Sequence, residues 1–192
     1  MFPLGPEVVR LGEIPGVSTL FGYIGEAVSG TSFHYEDGGL RSYNLTLFGW
    51  KIWIRISRYY TAKFEALVQR LTECENRCDQ FVRYTSIVIP PSRLREEDID
   101  FDMFDSSPGT IVLTAPGQYH YIINWTRYGA IAINFTLPGK DPIPPKLSLY
   151  DLDGLYTLKH PRIRKLRNAK RKEHDSPERP PRNKRPRPDN PP

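Results

Sequence analysis

From about residue 17 the chain alternates apolar and polar positions in short runs. FGYIGEAV (21–28) and TSFHYED (31–37) flank Ser29-Gly30, and YNLTLFG (43–49) runs into WKIWIRIS (50–57). There Trp50, Ile52, Ile54 and Ile56 alternate with Lys51, Trp53, Arg55 and Ser57, the period of two that predicts a strand. Then the period changes. In TAKFEALVQRLTECENRC, Phe64, Leu67, Val68 and Leu71 recur at helical spacing, with Thr61 as the expected N-cap. FVRYTSIVI (81–89) reads as a strand stopped by Pro90-Pro91, and the polar SRLREEDIDFDMFDSS as a short helix or loop. After Pro108-Gly109 come TIVLTAP (110–116), a GQYH corner, YIINW (121–125) and AIAINFTL (130–137), all read as strands. SLYDLDGLYTLKH (148–160) reads as a terminal helical turn. Strands, one helix, then strands predict a mainly β barrel or sandwich, because a parallel βαβ sheet needs helices between successive strands.

Composition divides the chain in two. Residues 160–192 hold twelve Lys/Arg against four acids, a net of +8, which leaves 1–159 at −3. Eight prolines fall in that basic end, so the reading is one folded domain, 1–159, and a disordered Pro/Arg/Lys-rich tail, 160–192. Apolar content of 39% and aromatic content of 12% support a packed core in the first part. No run of about 18 apolar residues is present, so no membrane span is expected, and MFPLGPEVVRLGEIPGV lacks the pattern of a secretory leader. Cys74 and Cys78, four apart, read as free thiols, and the sequons at Asn44, Asn124 and Asn134 as chance.

The chemistry starts at SFHYED (32–37). Residues i and i+2 of a strand share a face, so His34 and Glu36 either decorate that face or offer two ligands to one ion. A third ligand must come from elsewhere. His160 and His174 lie in the basic segment, leaving His120 as the other histidine of the body. Two histidines and a carboxylate form the facial triad of non-haem Fe(II) oxygenases, with positions open for an oxo-acid and O2; a zinc hydrolase uses the same ligand types. Lys51, in FGWKIWI, and Thr31 add an ammonium and a hydroxyl suited to the far carboxylate of 2-oxoglutarate.

Residues 17–137 resemble the Jumonji C (JmjC) domain of histone lysine demethylases and related protein hydroxylases. The resemblance rests on the H-x-E strand, the S-x-N turn at Ser42–Asn44, FGWKIW, and the PGQYH corner followed by a late Asn. It implies a double-stranded β-helix (jelly-roll, cupin-like) holding Fe(II) and 2-oxoglutarate. By position, His34, Glu36 and His120 look like the iron ligands. Lys51, Thr31, Asn44 and Trp53 look like the 2-oxoglutarate pocket, and Tyr23 and Asn134 like substrate contacts. The activity implied is an Fe(II)- and 2-oxoglutarate-dependent dioxygenase consuming O2, with a histone tail as protein substrate and N-methyl-lysine hydroxylated and lost as formaldehyde. There are departures. FGWK is one residue shorter than the family's FG-x-x-K, which puts Lys51 early. The upstream tyrosine that many members aim at the oxo-acid has no counterpart, Tyr84 replaces a histidine of an accessory zinc site, and YIINWTRYGA is bulkier than the family's text. These departures suit a second expectation, a catalytically impaired chromatin-binding module. The runs KLRNAKRKEH and RNKRPRPD imply nuclear import, with non-specific nucleic-acid contact as a secondary role.

Overall fold

The computed structural model describes residues 8–9, 17–72 and 80–141. Eight strands run in the order β1 (Phe21–Gly25), β2 (Gly30–His34), β3 (Arg41–Phe48), β4 (Lys51–Ile56), β5 (Phe101–Ser106), β6 (Ile111–Thr114), β7 (His120–Asn124) and β8 (Tyr128–Phe135). Between β4 and β5 come helices α1 (Thr61–Thr72), α2 (Phe81–Tyr84) and α3 (Pro91–Glu96). Two four-stranded sheets result, β1-β8-β3-β6 and β2-β7-β4-β5, and every pairing is antiparallel. Successive strands step from one sheet to the other, except β4 and β5, which pair as neighbours. This is the jelly-roll arrangement expected of the chain.

The hydrophobic core does not lie where a barrel suggests. On β4 the isoleucines Ile54 and Ile56 turn away from the opposite sheet and pack under α1 with Phe33, Phe64, Leu67, Val68, Phe81, Val82, Leu94, Tyr119 and Tyr121. Each such side chain contributes about 1.5–3 kcal/mol on burial, and their number explains why one sheet needs a helical backing. The alternate β4 residues, Lys51, Trp53 and Arg55, project between the sheets. Both faces of β4 are thus largely covered, which is why its alternation is of size and polarity rather than of simple burial.

Three sequence expectations change. FVRYTSIVI is not a strand: Phe81–Tyr84 is the short helix α2, closed by the Thr85 hydroxyl on the Val82 carbonyl at 2.6 Å and by Ser86 at φ 51°. Phe81 and Val82 are buried in the helix-backed core, a tertiary preference that overrides the β-branched text. Only Ile87 keeps a strand-like bond, its carbonyl accepting from the Phe33 N–H at 3.2 Å. The polar stretch begins as the short helix expected of it, α3, but its second half is β5, an edge strand paired to β4 alone, where acidic residues are tolerated. Thr61 is the first residue of α1 rather than its cap; a 3-10 turn at Arg58–Tyr60 precedes it, and its hydroxyl donates to the Arg58 carbonyl at 3.0 Å. Cys74, Cys78, the 148–160 stretch and the basic tail lie outside the described residues. Among the described residues no helix is long and apolar enough to cross a membrane.

Candidate metal centre

Cross-strand partners project from the same face of an antiparallel sheet, so the β2-β7-β4 register sets out the site in three rungs. On the first, Arg55, His120 and His34 lie side by side; on the second, Trp53, Ile122 and Thr31; on the third, Lys51 and Asn124. Thr31 and His34 are three apart, an odd spacing that ought to separate their faces. A bulge between them in β2 restores the match. Thr31 is nevertheless exposed, whereas His34 and His120 are buried.

Glu36 lies two residues past the end of β2, on extended backbone (φ −64°, ψ 151°) leading into a 3-10 turn. The alternation carries on past the end of the strand: Phe33 and Tyr35 turn to the helix-backed core, while His34 and Glu36 turn the other way and approach each other. Ligand atoms of His34, Glu36 and His120 fall within 4.8 Å of one another, and His120 Nε2 is 3.6 Å from Glu36 Oε1. Both imidazoles are oriented alike. His34 Nδ1 lies 2.8 Å from the Ser32 carbonyl and His120 Nδ1 2.9 Å from the Gln118 carbonyl. A carbonyl only accepts, so each Nδ1 carries the hydrogen and each Nε2 keeps its lone pair. Burial, with His120 and Arg83 nearby, holds His34 well below the usual histidine range; burial also lowers His120, against the opposing pull of Glu36. Neutral imidazoles with free Nε2 atoms beside a carboxylate are the donor set that a divalent first-row metal takes.

Two neighbours steady this group. Ser42 donates to Glu36 Oε1 at 2.8 Å and meets Thr114 Oγ1 at 2.9 Å, while the Ser42 N–H donates to Thr114 Oγ1 at 3.1 Å. Arg83 on α2 donates to Asp37 at 2.8 Å and ties down the turn after Glu36. Asp37 is thereby an anchor of the ligand-bearing turn.

At the third rung Lys51 is 2% exposed and donates to Asn44 Oδ1 at 3.2 Å, across the gap between the sheets. Its Nζ stands 4.3 Å over the Tyr128 ring and 5.8 Å from that of Trp53. Burial lowers its pKa to about 8, because among the described residues no carboxylate pairs with it. The early position of Lys51 in FGWK does not keep it out of the interior. Trp53 stacks on His120, with ring centroids 5.7 Å apart, and donates through Nε1 to Ser106 at 3.0 Å. A buried ammonium that no carboxylate among the described residues pairs, two rungs from the His34–Glu36–His120 group, suits one end of a dicarboxylate.

The description "JmjC domain, hydroxylase" matches residues 21–135. The chain belongs to the JmjC family. It is 32% identical over 127 residues to rat lysine-specific demethylase 4D, covering 65% of this chain and 25% of that protein. To human probable lysine-specific demethylase 4F it is also 32% identical over 127 residues, covering 20% of the relative. Mouse lysine-specific demethylase 4B is 28% identical over 140 residues, 13% of its length. This JmjC chain thus spans a quarter or less of the curated relatives it matches.

Within the JmjC jelly roll the remaining candidate residues separate. Asn134 is buried on β8 directly opposite Ser42, and its N–H donates to the Val17 carbonyl at 3.1 Å. Tyr23 lies on β1 opposite Ala130, edge-on to Phe21 at 4.9 Å and 39% exposed, at the open margin of the same face. Sequence reasoning missed Ser42 as a partner of Glu36, together with Thr114, Arg83 and Tyr128. Ser42 stood in the S-x-N motif; the other three carried no signal, because their roles arise from register.

Proposed function

We propose that this JmjC chain is an Fe(II)- and 2-oxoglutarate-dependent protein oxygenase that hydroxylates N-methyl groups of lysine in a histone tail. The observation that carries the reading is the convergence of His34, Glu36 and His120 two rungs from the buried Lys51, which no carboxylate among the described residues pairs. His34 Nε2, Glu36 and His120 Nε2 would hold the iron. Bound there with 2-oxoglutarate, it would supply O2 activation coupled to oxidative decarboxylation of the oxo-acid to succinate. The residues themselves bind and orient. Lys51 pairs with the far carboxylate, Thr31 offers it a hydroxyl, and Asn44 fixes the Lys51 ammonium. Trp53 buttresses His120 and walls the pocket, while Tyr23 and Asn134 face the substrate side. The lysine-specific demethylase names of the relatives support methyl-lysine as the target, and the basic run of 160–192 supports nuclear targeting with secondary nucleic-acid contact.

A second reading, a JmjC-like module that holds chromatin without turnover, draws on Ile122, which fills the rung between metal ligands and Lys51. Purified protein with Fe(II), ascorbate, 2-oxoglutarate and a trimethyl-lysine histone peptide separates the two. The oxygenase reading expects succinate and formaldehyde, both lost in His120→Ala. Background succinate in both proteins overturns it.

A further inference from the structure

We propose that Ile122 sets the size of the oxo-acid this site admits. The inference rests on the oxygenase reading and deepens it. The register places Ile122 on the middle rung, directly opposite Thr31 on one side and Trp53 on the other. Its side chain therefore projects between the sheets, from the same face as His120 and Lys51. It is 9% exposed and packs in one cluster with Trp53 and with Val112, a residue of the other sheet. Val112 is itself directly opposite Asn44, the partner of Lys51. Across the middle of the interior, then, apolar side chains from both sheets meet.

Any dicarboxylate with one end on the metal ligands and the other on Lys51 passes this rung. A β-branched side chain is stiff at χ1 and cannot swing aside as a methionine would, so Ile122 limits the thickness of the molecule that passes. A slim, flexible aliphatic dicarboxylate goes by, and a flat aromatic one of equal charge meets the Ile122 branch. One extra or missing methylene in a hydrophobic pocket changes discrimination by about 10–200-fold. The bulky text after His120, which departs from the JmjC pattern, has its place here: Tyr121 turns outward into the helix-backed core, and Ile122 alone of that pair faces the cofactor path.

The test uses the full chain loaded with Mn(II), so that no turnover occurs, and measures binding of 2-oxoglutarate and of pyridine-2,4-dicarboxylate by calorimetry. Wild type is expected to favour 2-oxoglutarate. Ile122→Val and Ile122→Ala are expected to tighten the aromatic acid stepwise, by about tenfold or more in the alanine variant, with Mn(II) affinity unchanged. Ile122→Leu, which keeps the volume but loses the stiff β-branch, is expected to tighten the aromatic acid less than alanine does. An affinity ratio equal in wild type, Ile122→Val and Ile122→Ala overturns the role of Ile122 and leaves the oxygenase reading standing. Mn(II) binding with no affinity for either acid, in wild type and variants alike, overturns both.

Discussion

Lys51 holds its ammonium 4.3 Å over the face of Tyr128, and the ring can lie there because its partner across the strands is Gly25. A β-carbon at Gly25 would collide with the Tyr128 ring edge. The pair makes an aromatic floor under a buried cation. Such a contact is worth about 0.5–1 kcal/mol at exposed sites and about 2 kcal/mol when desolvated. Tyr128→Phe is therefore expected to bind 2-oxoglutarate as wild type does, and Tyr128→Leu about three- to thirtyfold more weakly. Gly25→Ala is expected to resemble the leucine variant. Calorimetry on Mn(II)-loaded protein checks all three; a phenylalanine variant as weak as leucine would show that the hydroxyl, not the face, matters.

The same lysine makes the free protein pH-sensitive. Its pKa is about 8 in the folded state against an ordinary 10.5, so burial disfavours the charged form. Between those values the unfolded chain binds more protons than the native one, and stability contributed at this site rises with pH. Below pH 8 the penalty is fully present, roughly 3 kcal/mol from the size of the shift, and it is gone by about pH 10.5. Lys51→Met is expected to be more stable than wild type at pH 7 while losing 2-oxoglutarate affinity. Urea denaturation at pH 7 and pH 10 tests this: the advantage of the variant should shrink at the higher pH. A variant less stable than wild type at pH 7 would sink the claim.

Ser42 and Thr114 divide their hydrogens in one direction. The Ser42 hydroxyl donates to Glu36, so the Thr114 hydroxyl must be the donor to Ser42 Oγ, while Thr114 Oγ1 accepts the Ser42 N–H. Partners of this kind orient a metal ligand and are commonly worth 10–100-fold in metal affinity. Ser42→Ala is expected to weaken Co(II) binding by that factor, Thr114→Val by less, and Thr114→Ser hardly at all. The visible absorption band of bound Co(II) should move in Ser42→Ala, which a loss of general stability would not cause.

Phe64 is fully buried, 4.7 Å from Phe33 and 5.1 Å from Tyr119 between ring centroids. Phe64→Ala is expected to cost about 3–5 kcal/mol by chemical denaturation, with Mn(II) affinity intact in the folded fraction.

How much of this was legible beforehand varies by element. The β4 run and α1 announced themselves, because Ile52, Ile54 and Ile56 keep period two and Phe64, Leu67, Val68 and Leu71 keep helical spacing. The α2 segment was misread because Ile87, Val88 and Ile89 carry β propensity, while burial of Phe81 and Val82 under the sheet decides the conformation. β5 was hidden by Asp102 and Asp105, which an edge strand tolerates. At the site, ligand atoms of His34, Glu36 and His120 come within 4.8 Å of one another, and Lys51 is buried two rungs away on the same sheet. For Glu36 the alternation holds although the paired strand ends at His34, with Tyr35 turned to the helix-backed core. Thr31 shares the face of His34 only through a bulge, and the Tyr128 floor depends on a glycine over a hundred residues away. Neither leaves a local trace.

The jelly roll keeps most of its apolar mass beneath α1, and between the sheets it holds polar residues with only the small cluster of Trp53, Val112 and Ile122. Durability and chemistry are stored in different compartments. Residues around Lys51 and Ile122 can change while the helix-backed layer goes on holding the chain together. Melting behaviour then reports chiefly on the layer beneath α1 and on the buried charge of Lys51, and only ligand binding reports on the rest of the three rungs.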